Sequence, residues 1–121
     1  MARILVVDDA AYMRLMLKKI IVDAGHEVVG EAGNGEEAVT QFKELSPDLT
    51  TLDITMPVQD GLEALKEIME IDPDARVVMC SALGQQAKVV ECMKAGACDF
   101  VVKPFQQATV FDALRNALQV S

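Results

Sequence analysis

Short runs rich in apolar and β-branched residues alternate along the chain with longer segments of helical periodicity. The runs lie at residues 4–7, 28–29, 49–52, 77–80 and 100–102. Such runs are typical of strands that are buried on both faces. After each run, apolar residues recur at three- and four-residue spacing, which predicts amphipathic helices. The pattern therefore predicts five successive βα units.

Each predicted helix has an apolar stripe, and several have end signals. The stripes are Met13, Met16, Leu17, Ile20, Ile21 and Ala24; Ala38, Val39, Phe42 and Leu45; Leu62, Leu65, Ile68 and Met69; Ala87, Val90 and Met93; and Phe111, Leu114 and Leu118. Asn34 and Asp60 are expected to be N-caps of the second and third helices. Gly25 and Gly96 are expected to end the first and fourth helices.

The alternation of strands and helices predicts a parallel sheet with helices on both faces. Right-handed crossovers place the carboxyl ends of all five strands at one edge of this sheet. A length of 121 residues, with 51% hydrophobic and 25% charged residues, suits one globular core. We therefore expect a single α/β domain over residues 1–121.

Charge and cysteine content narrow the classes of partner. A formal net charge of -8 repels phosphate backbones and anionic lipid, so we expect no nucleic-acid and no membrane binding. Cys80, Cys92 and Cys98 have no CxxC spacing, which disfavours a disulfide framework and a zinc site. We expect neither a secretory leader nor a membrane span. These features predict a cytoplasmic protein that binds other proteins or Mg²⁺.

Polar residues follow four of the predicted strands. Asp8 and Asp9 come after the first strand and Asp53 after the third. Ser81 comes after the fourth strand and Lys103 after the fifth. Ligands of open parallel sheets bind at the carboxyl ends of strands, where the winding direction changes. The five side chains are therefore expected to meet in one site.

Three clustered aspartates predict a bound cation, because their mutual repulsion raises their pKa values and opposes folding. Carboxylate ligands without a nearby His or Cys favour Mg²⁺ or Mn²⁺ over zinc. A partly hydrated Mg²⁺ commonly also binds a phosphate, so the cluster predicts phosphoryl chemistry. Asp53 is the predicted nucleophile, and Lys103 and Ser81 are expected to stabilise the phosphoryl oxygens.

Each of these residues has a simpler interpretation when it is taken singly. Asp8 or Asp9 could cap the following helix. Ser81 could belong to a turn, and Lys103 could lie in solvent. The simpler interpretation is kept for Asp60, which is expected to act only as a cap.

Other catalytic patterns are weak. His26 is the only histidine and lies in a predicted turn, where we expect it to be solvated, so a Ser-His-Asp triad is disfavoured. The chain has no GxxxxGK loop for a nucleotide. A small-molecule phosphatase of the haloacid dehalogenase type is an alternative, but it needs a second aspartate where this chain has Thr55.

The chain resembles a two-component response-regulator receiver domain over its whole length. The matching motifs are Val-Asp-Asp at 7–9, Asp-Ile-Thr-Met-Pro at 53–57 with Asp-Gly at 60–61, Ser-Ala at 81–82 and Lys-Pro-Phe at 103–105. The resemblance implies a doubly wound, flavodoxin-like sheet of strand order 2-1-3-4-5 with five helices. This strand order comes from the family and not from the hydrophobic pattern.

The resemblance also implies a role for each acidic residue. Asp53 would be the phosphoacceptor. Asp8 and Asp9, together with Asp53 and the backbone carbonyl of Thr55, would hold Mg²⁺.

Four further residues receive roles from the resemblance. Ser81 and Lys103 would hold the phosphoryl oxygens. Phe100 would be the aromatic switch, with its ring turning inward as the Ser81 hydroxyl moves toward the phosphate. The bond between Lys103 and Pro104 is a candidate cis peptide.

Within the family, residues 9–14, 80–86 and 103–106 resemble free-standing chemotaxis regulators. Such a receiver has no output domain and acts by binding another protein. The implied partners are a sensor histidine kinase, a flagellar motor switch protein and a phosphatase. We expect a monomeric switch with slow self-catalysed phosphorylation and dephosphorylation, and not a dedicated enzyme. A receiver module of a transcriptional or phosphorelay regulator is the alternative.

The fourth helix carries apolar residues outside its stripe. Val89 and Cys92 indicate either a partner surface or a helix that is buried on a broad face. Because the family uses helix four, strand five and helix five for output, we favour the partner surface.

Overall fold

Five strands and five helices alternate along residues 1–119, the part of the chain described by the structure, which is a computed structural model. The strands are β1 (Arg3–Val7), β2 (Glu27–Ala32), β3 (Leu49–Asp53), β4 (Val77–Ser81) and β5 (Asp99–Val102). The helices are α1 (Ala11–Asp23), α2 (Gly35–Leu45), α3 (Gly61–Ile71), α4 (Gln86–Lys94) and α5 (Gln107–Leu118). The predicted βα units are confirmed. The predicted domain end at residue 121 lies outside the described residues.

The strands form one parallel sheet of order β2-β1-β3-β4-β5, as the family resemblance implied. From β1 the chain moves outward to β2 and then returns across β1 to β3. The winding direction therefore changes between β1 and β3, which is where open parallel sheets bind ligands. The carboxyl ends of these two strands carry the acidic residues.

Helices cover both faces of the sheet, so its central strands are buried throughout. Helices α2, α3 and α4 pack on one face, where Phe42, Leu65 and Ile68 belong to the core. Helices α1 and α5 pack on the other face, where Leu17 and Leu114 belong to a second core. The rigid centre of the sheet thus supports the loops at its carboxyl edge.

The predicted orientation of α4 is wrong. Val89 and Cys92 are buried, whereas Val90 is 52% exposed and Met93 is 38% exposed. Ala87 is exposed as well. The residues expected on a partner surface therefore form the core side of α4, and its exposed apolar residues come from the stripe that was expected to be buried.

Helices α2 and α3 begin, and α1 ends, at the residues that the sequence predicted. Asn34 Oδ1 accepts a hydrogen bond from the Glu37 amide, and Asp60 Oδ1 accepts one from the Glu63 amide, each at 2.9 Å. Gly25 follows α1 with a φ of 89°, a left-handed conformation that glycine adopts without a Cβ penalty. No helix within residues 1–119 has both the length and the apolar character needed to cross a membrane.

His26 is not simply solvated as expected. Its Nδ1 atom accepts a hydrogen bond of 3.0 Å from the Ala2 amide, and its side chain is partly buried. The ring therefore satisfies the backbone amide that precedes β1, a structural role that a turn prediction does not reveal.

Candidate functional site

The carboxyl edge of the sheet brings the predicted site residues together. Asp8 and Asp9 follow β1, and Lys103 follows β5. Asp53 and Ser81 are the last residues of β3 and β4, so each of these strands ends one residue later than the sequence pattern predicted. In this structure, the backbones of both residues pair with neighbouring strands.

The three aspartates form a compact acidic cluster. Asp8, Asp9 and Asp53 each offer a carboxylate oxygen, and these oxygens all lie within 4.8 Å of one another. Asp8 and Asp53 are buried, whereas Asp9 is exposed. A cation bound here would therefore contact buried carboxylates on one side and solvent on the other.

Lys103 joins two of these carboxylates. Its Nζ atom lies 2.8 Å from Asp8 Oδ2 and 3.2 Å from Asp53 Oδ1. Lys103 follows β5, Asp8 follows β1 and Asp53 ends β3, so the contacts exist only in the folded sheet. One positive charge thus partly compensates two buried negative charges.

The cluster shifts the pKa values of both partners of the Lys103–Asp53 pair. Burial and the charge of Asp8 raise the pKa of Asp53 to about 6, against an opposing effect of Lys103. Burial alone lowers the pKa of Lys103, but its hydrogen bond to Asp8 and the charge of Asp53 outweigh that effect and raise it. Lys103 is therefore charged at neutral pH, and Asp53 becomes fully ionised only above about pH 6.

The loop that carries Asp8 is held by residues to which the sequence pattern assigned no role. Arg14 Nη1 donates a hydrogen bond of 2.6 Å to the Asp8 carbonyl. Arg14 Nε and Lys18 Nζ both contact the carboxylate of Glu31, at 3.0 and 2.7 Å. The hydrogen bond from Lys18, together with Arg14, lowers the pKa of Glu31 against the effect of its partial burial. The sequence signal was an acidic residue, Glu31, near the end of β2, together with two basic residues, Arg14 and Lys18, four positions apart in α1.

The side chain and backbone of Asp8 are held by hydrogen bonds and an ion pair. Its Oδ1 atom accepts a hydrogen bond of 2.9 Å from the Ala10 amide, and its own amide donates to the Ala32 carbonyl at 3.1 Å. With Oδ2 on Lys103, every polar group of Asp8 has a partner. Asp8 is therefore a fixed wall of the acidic cluster.

Glycine permits α3 to begin directly beside Asp53. A Cβ atom at Gly61 would collide with the Asp53 carbonyl oxygen and would lie 2.8 Å from Ile54 Cα. The Gly61 amide donates to the Ile54 carbonyl at 2.7 Å. The Asp-Gly pair at 60–61 thus combines a helix cap with a close backbone approach.

Of the remaining predicted residues, Ser81, Thr55 and Pro104 lie at the carboxyl edge of the sheet, whereas Phe100 lies within β5. Ser81 is buried, and its carbonyl accepts a hydrogen bond of 2.8 Å from the Lys103 amide. The Lys103–Pro104 peptide bond is cis. Thr55 is exposed two residues after Asp53. Phe100 is 40% exposed and lies beside the exposed side of α4.

Gln85 joins the two loops that follow β3 and β4, which the sequence did not indicate. Its Oε1 atom accepts a hydrogen bond of 2.7 Å from the Ala82 amide. Its Nε2 atom donates a hydrogen bond of 2.6 Å to Thr55 Oγ1. A glutamine before a helix has no distinctive sequence signature, so only the folded loops reveal this bridge.

Comparison with known families identifies the family to which this fold belongs. The model of the response regulator receiver domain matches residues 4–115. The chain belongs to the response-regulator receiver family. CheY-like receivers are signalling switches and not dedicated enzymes, and the relatives of this receiver include chemotaxis proteins of the CheY type.

Individual relatives cover nearly the whole receiver. It is 62% identical to the chemotaxis protein CheY of Thermotoga maritima over 94% of this chain and 95% of that protein. It is 59% identical to CheY of Bacillus subtilis over 96% of this chain and 97% of that protein. Its structure matches CheY in a CheX–CheY–BeF3–Mg²⁺ complex from Borrelia burgdorferi with a TM-score of 0.93 and 39% identity, over 98% of this chain and 90% of that chain.

Receivers bind Mg²⁺ at an acidic pocket, and the residues of this chain fit that ion. The donors are carboxylate oxygens from Asp8, Asp9 and Asp53, which are the hard ligands that Mg²⁺ prefers. Exposure of Asp9 leaves one side open to the water molecules that Mg²⁺ retains. The bound ion would supply positive charge to the phosphate oxygens of an incoming group.

Proposed function

We propose that this receiver is a phosphorylation-dependent signalling switch in which Asp53 accepts a phosphoryl group from a sensor histidine kinase. Asp8, Asp9, Asp53 and the Thr55 backbone carbonyl hold Mg²⁺, with Mn²⁺ as a substitute. The phosphorylated form binds a target protein, the flagellar motor switch. The relationship to CheY proteins supports the chemotaxis output.

One observation carries the proposal. Lys103 Nζ lies 3.2 Å from Asp53 Oδ1 at the carboxyl edge, beside the Asp8 and Asp9 carboxylates. The nucleophilic carboxylate of Asp53 is thus placed next to the ammonium group of Lys103 and next to carboxylates that can bind a metal cation. Such fixed charges stabilise the negative charge that develops on a transferred phosphoryl group.

The proposed transfer exchanges one bond at phosphorus for another and takes one proton from solvent. A carboxylate oxygen of Asp53 attacks the phosphorus of a phosphohistidine on the kinase. The new P–O bond forms as the P–N bond breaks, and the imidazole, protonated by solvent on its other nitrogen, leaves as a neutral ring. The switch is reset by slow hydrolysis, in which water attacks the phosphorus of the acyl phosphate. This step releases inorganic phosphate and a proton and regenerates the Asp53 carboxylate.

The protein side chains orient the phosphoryl group once it is attached. Lys103 contacts one phosphoryl oxygen as a point charge, and the hydroxyl of Ser81 donates a hydrogen bond to another. Movement of Ser81 toward the phosphate vacates space into which the ring of Phe100 turns. In the unphosphorylated protein that ring is 40% exposed, so an inward turn would bury it further.

The acceptor assignment is tested by incubating the protein with acetyl phosphate and Mg²⁺ and measuring the intact mass. The wild type should gain one phosphoryl group that is labile to base, and chelation of the metal should prevent the gain. Asp53→Asn should not react. Asp74→Asn is the matched control, because it removes an exposed carboxylate remote from the site and should react as the wild type does.

Two results would contradict the assignment. Labelling of Asp53→Asn at the wild-type rate would exclude Asp53 as the acceptor. Rapid multiple turnover of small phosphate esters by the wild type would instead indicate a phosphatase. The contacts of Thr55 argue against that activity, because its hydroxyl is bound to Gln85 and supplies no acid or base.

An exposed apolar surface on α4 and β5 supports the proposed partner. Val90, Met93, Phe100 and Val102 are each between 38% and 52% exposed and line one cleft of about 560 Å³. Ser81 lies at the inner end of the same cleft. A movement of Ser81 toward Asp53 would therefore change the shape of the surface that a partner contacts.

Binding of the motor switch protein from the same organism tests this surface. Addition of BeF3⁻ and Mg²⁺, which mimic the phosphorylated state, should strengthen binding to the wild type. Val90→Ser should weaken the binding of the activated form at least fivefold, about the effect of one buried apolar side chain. Leu15→Ser, at an exposed apolar position on α1, is the control and should not weaken it. Equal loss in both variants would exclude the α4–β5 surface as the specific site.

A further inference from the structure

We propose that Gln85 is a positioning residue that stabilises the unphosphorylated arrangement of the two loops beside Asp53 and releases them on phosphorylation. The two loops are residues 54–60 after β3 and residues 82–85 after β4. This inference rests on the proposed function, because it concerns the response to a phosphoryl group on Asp53.

The primary amide of Gln85 uses both of its ends. Oε1 accepts from the Ala82 amide at 2.7 Å, and Nε2 donates to Thr55 Oγ1 at 2.6 Å. Thr55 and Gln85 are 30 residues apart, so the side chain connects two separate βα loops. Only a side chain with both a donor and an acceptor can make this pair of contacts.

The local backbone directs Gln85 toward these partners. Gly84 has a φ of 87°, a left-handed conformation that turns the chain back before α4 begins. Gln85 occupies the N-cap position of α4, yet its side chain makes no capping hydrogen bond. The amide is instead used between the loops, which indicates a role other than helix initiation.

Both partners of Gln85 lie next to the acceptor. Thr55 follows Asp53 by two residues, and Ala82 follows Ser81 directly. Because Asp53 pairs with Cys80 across the sheet, Ser81 at the end of β4 and Ala82 after it lie beyond the level of Asp53, on the side where a phosphoryl group would project. Gln85 therefore holds one loop on each side of the position that the group would occupy.

A phosphoryl group on Asp53 competes with Gln85 for the loop after β4. Its three oxygens require donors, and the Ser81 hydroxyl and the Ala82 amide are consecutive donors on that loop. The Ala82 amide is already engaged by Gln85 Oε1. Movement of Ser81 toward Asp53 therefore breaks the bridge. Contacts that exist only in one state bias the equilibrium toward that state.

The affinity for BeF3⁻ in the presence of Mg²⁺ measures this bias. Gln85→Ala should bind BeF3⁻ about five- to tenfold more tightly than the wild type, which corresponds to the loss of one or two net hydrogen bonds. Thr55→Val, which keeps the backbone carbonyl, should give a similar increase. The double variant should bind no more tightly than Gln85→Ala, since the two changes remove one bridge. Gln86→Ala, which removes an exposed amide one residue later, should leave the affinity unchanged.

The Ala82 amide provides an independent measurement. Its ¹H–¹⁵N signal in the absence of BeF3⁻ should show faster hydrogen exchange in Gln85→Ala, and the melting temperature should fall by only a few degrees, because the lost bridge belongs to the folded unphosphorylated state. A purely structural Gln85 would lower the melting temperature without strengthening BeF3⁻ binding, and that result would overturn the inference. Unchanged or weaker BeF3⁻ binding in Gln85→Ala would overturn it as well. By contrast, absence of BeF3⁻ binding to the wild type would refute the proposed function itself.

Discussion

The Nζ atom of Lys103 lies 2.8 Å from Asp8 Oδ2, although 95 positions of sequence separate the two residues. Asp8 is buried, and the Lys103 side chain is 20% exposed. The same ammonium also reaches Asp53. Lys103 therefore compensates part of the negative charge of the acidic cluster without a metal ion. The stability of the domain is expected to depend on this compensation.

Replacement of Lys103 by Met should destabilise the metal-free protein at pH 7. Two buried carboxylates would lose their cation, and the expected loss is about 2 kcal/mol, less than for a fully buried pair. Urea unfolding in chelator measures it. Lys66→Met, at an exposed position on α3, is the control. A Lys103→Met variant as stable as the control would show that the ion pairs contribute nothing net.

The raised pKa of Asp53 predicts a pH-dependent effect of Asp53→Asn. Because the pKa is about 6 in the folded protein and 3.8 ordinarily, the folded state binds the proton more tightly. Ionisation therefore costs stability, increasingly as the pH rises from 3.8 to about 6. In chelator, Asp53→Asn should be more stable than the wild type by about 2–3 kcal/mol above pH 6, and the gain should vanish near pH 4.

Urea unfolding at several pH values tests this expectation. Asp112→Asn, on the exposed side of α5, serves as the control for a general change in net charge. A constant difference between Asp53→Asn and the wild type from pH 4 to pH 8 would rule out a raised pKa at Asp53.

Magnesium should raise the melting temperature, since it binds a cluster that only the folded protein assembles. At about 100 times its dissociation constant, the ion should add about 2.7 kcal/mol of stability. Asp9→Asn should reduce this response and raise the stability in chelator, because one repelling charge is removed. With no Trp and one Tyr, far-UV circular dichroism is the suitable probe. An unchanged melting temperature in millimolar Mg²⁺ would contradict the metal site.

Val58 adopts a conformation that is unfavourable for a β-branched residue. Its φ is 68° and its side chain is 76% exposed, in the loop that follows Asp53. Left-handed backbone costs L-residues about 1–2 kcal/mol, and Asn tolerates it better. Val58→Asn should therefore raise the free energy of unfolding by about 1 kcal/mol. Val22→Asn, at an exposed position in regular helix, should instead lower it slightly.

Two hydroxyl groups in the centre of the sheet offer a further test. Thr50 and Thr51 of β3 are buried, and their Oγ1 atoms have no hydrogen-bond partner within residues 1–119. Valine has the same shape without the polar atom, so each Thr→Val replacement should stabilise the protein by about 1 kcal/mol. Thr40→Val is the control, because its exposed hydroxyl bonds to the Glu36 carbonyl. Loss of stability in both buried variants would indicate that the hydroxyls are solvated.

Much of the architecture followed from local patterns. The βα repeats, the caps Asn34 and Asp60 and the strand positions are set by short-range periodicity and turn chemistry, which act over a few residues. Parallel strands share one carboxyl edge, so the clustering of Asp8, Asp9 and Asp53 also followed from the pattern. The strand order itself came from the family resemblance.

The orientation of α4 shows where local patterns end. Apolar residues occupy five of its nine positions, so more than one face of the helix could pack on the sheet. The burial of Val89 and Cys92 shows which of these faces packs on the sheet. A rotation of one residue changes which side chains are exposed, and no property of α4 alone selects it.

The sequence by itself determined the fold class and the edge at which polar residues gather, because both depend on spacing along the chain. Only the tertiary structure decided which side chains contact one another there. The bridge from Gln85 to Thr55 spans 30 residues and the bond from Ala2 to His26 spans 24, while the contact of Arg14 with the Asp8 carbonyl joins α1 to the loop that precedes it. Their geometry depends on loop conformations and helix rotations that are selected by packing of the whole chain, so no local pattern specifies them.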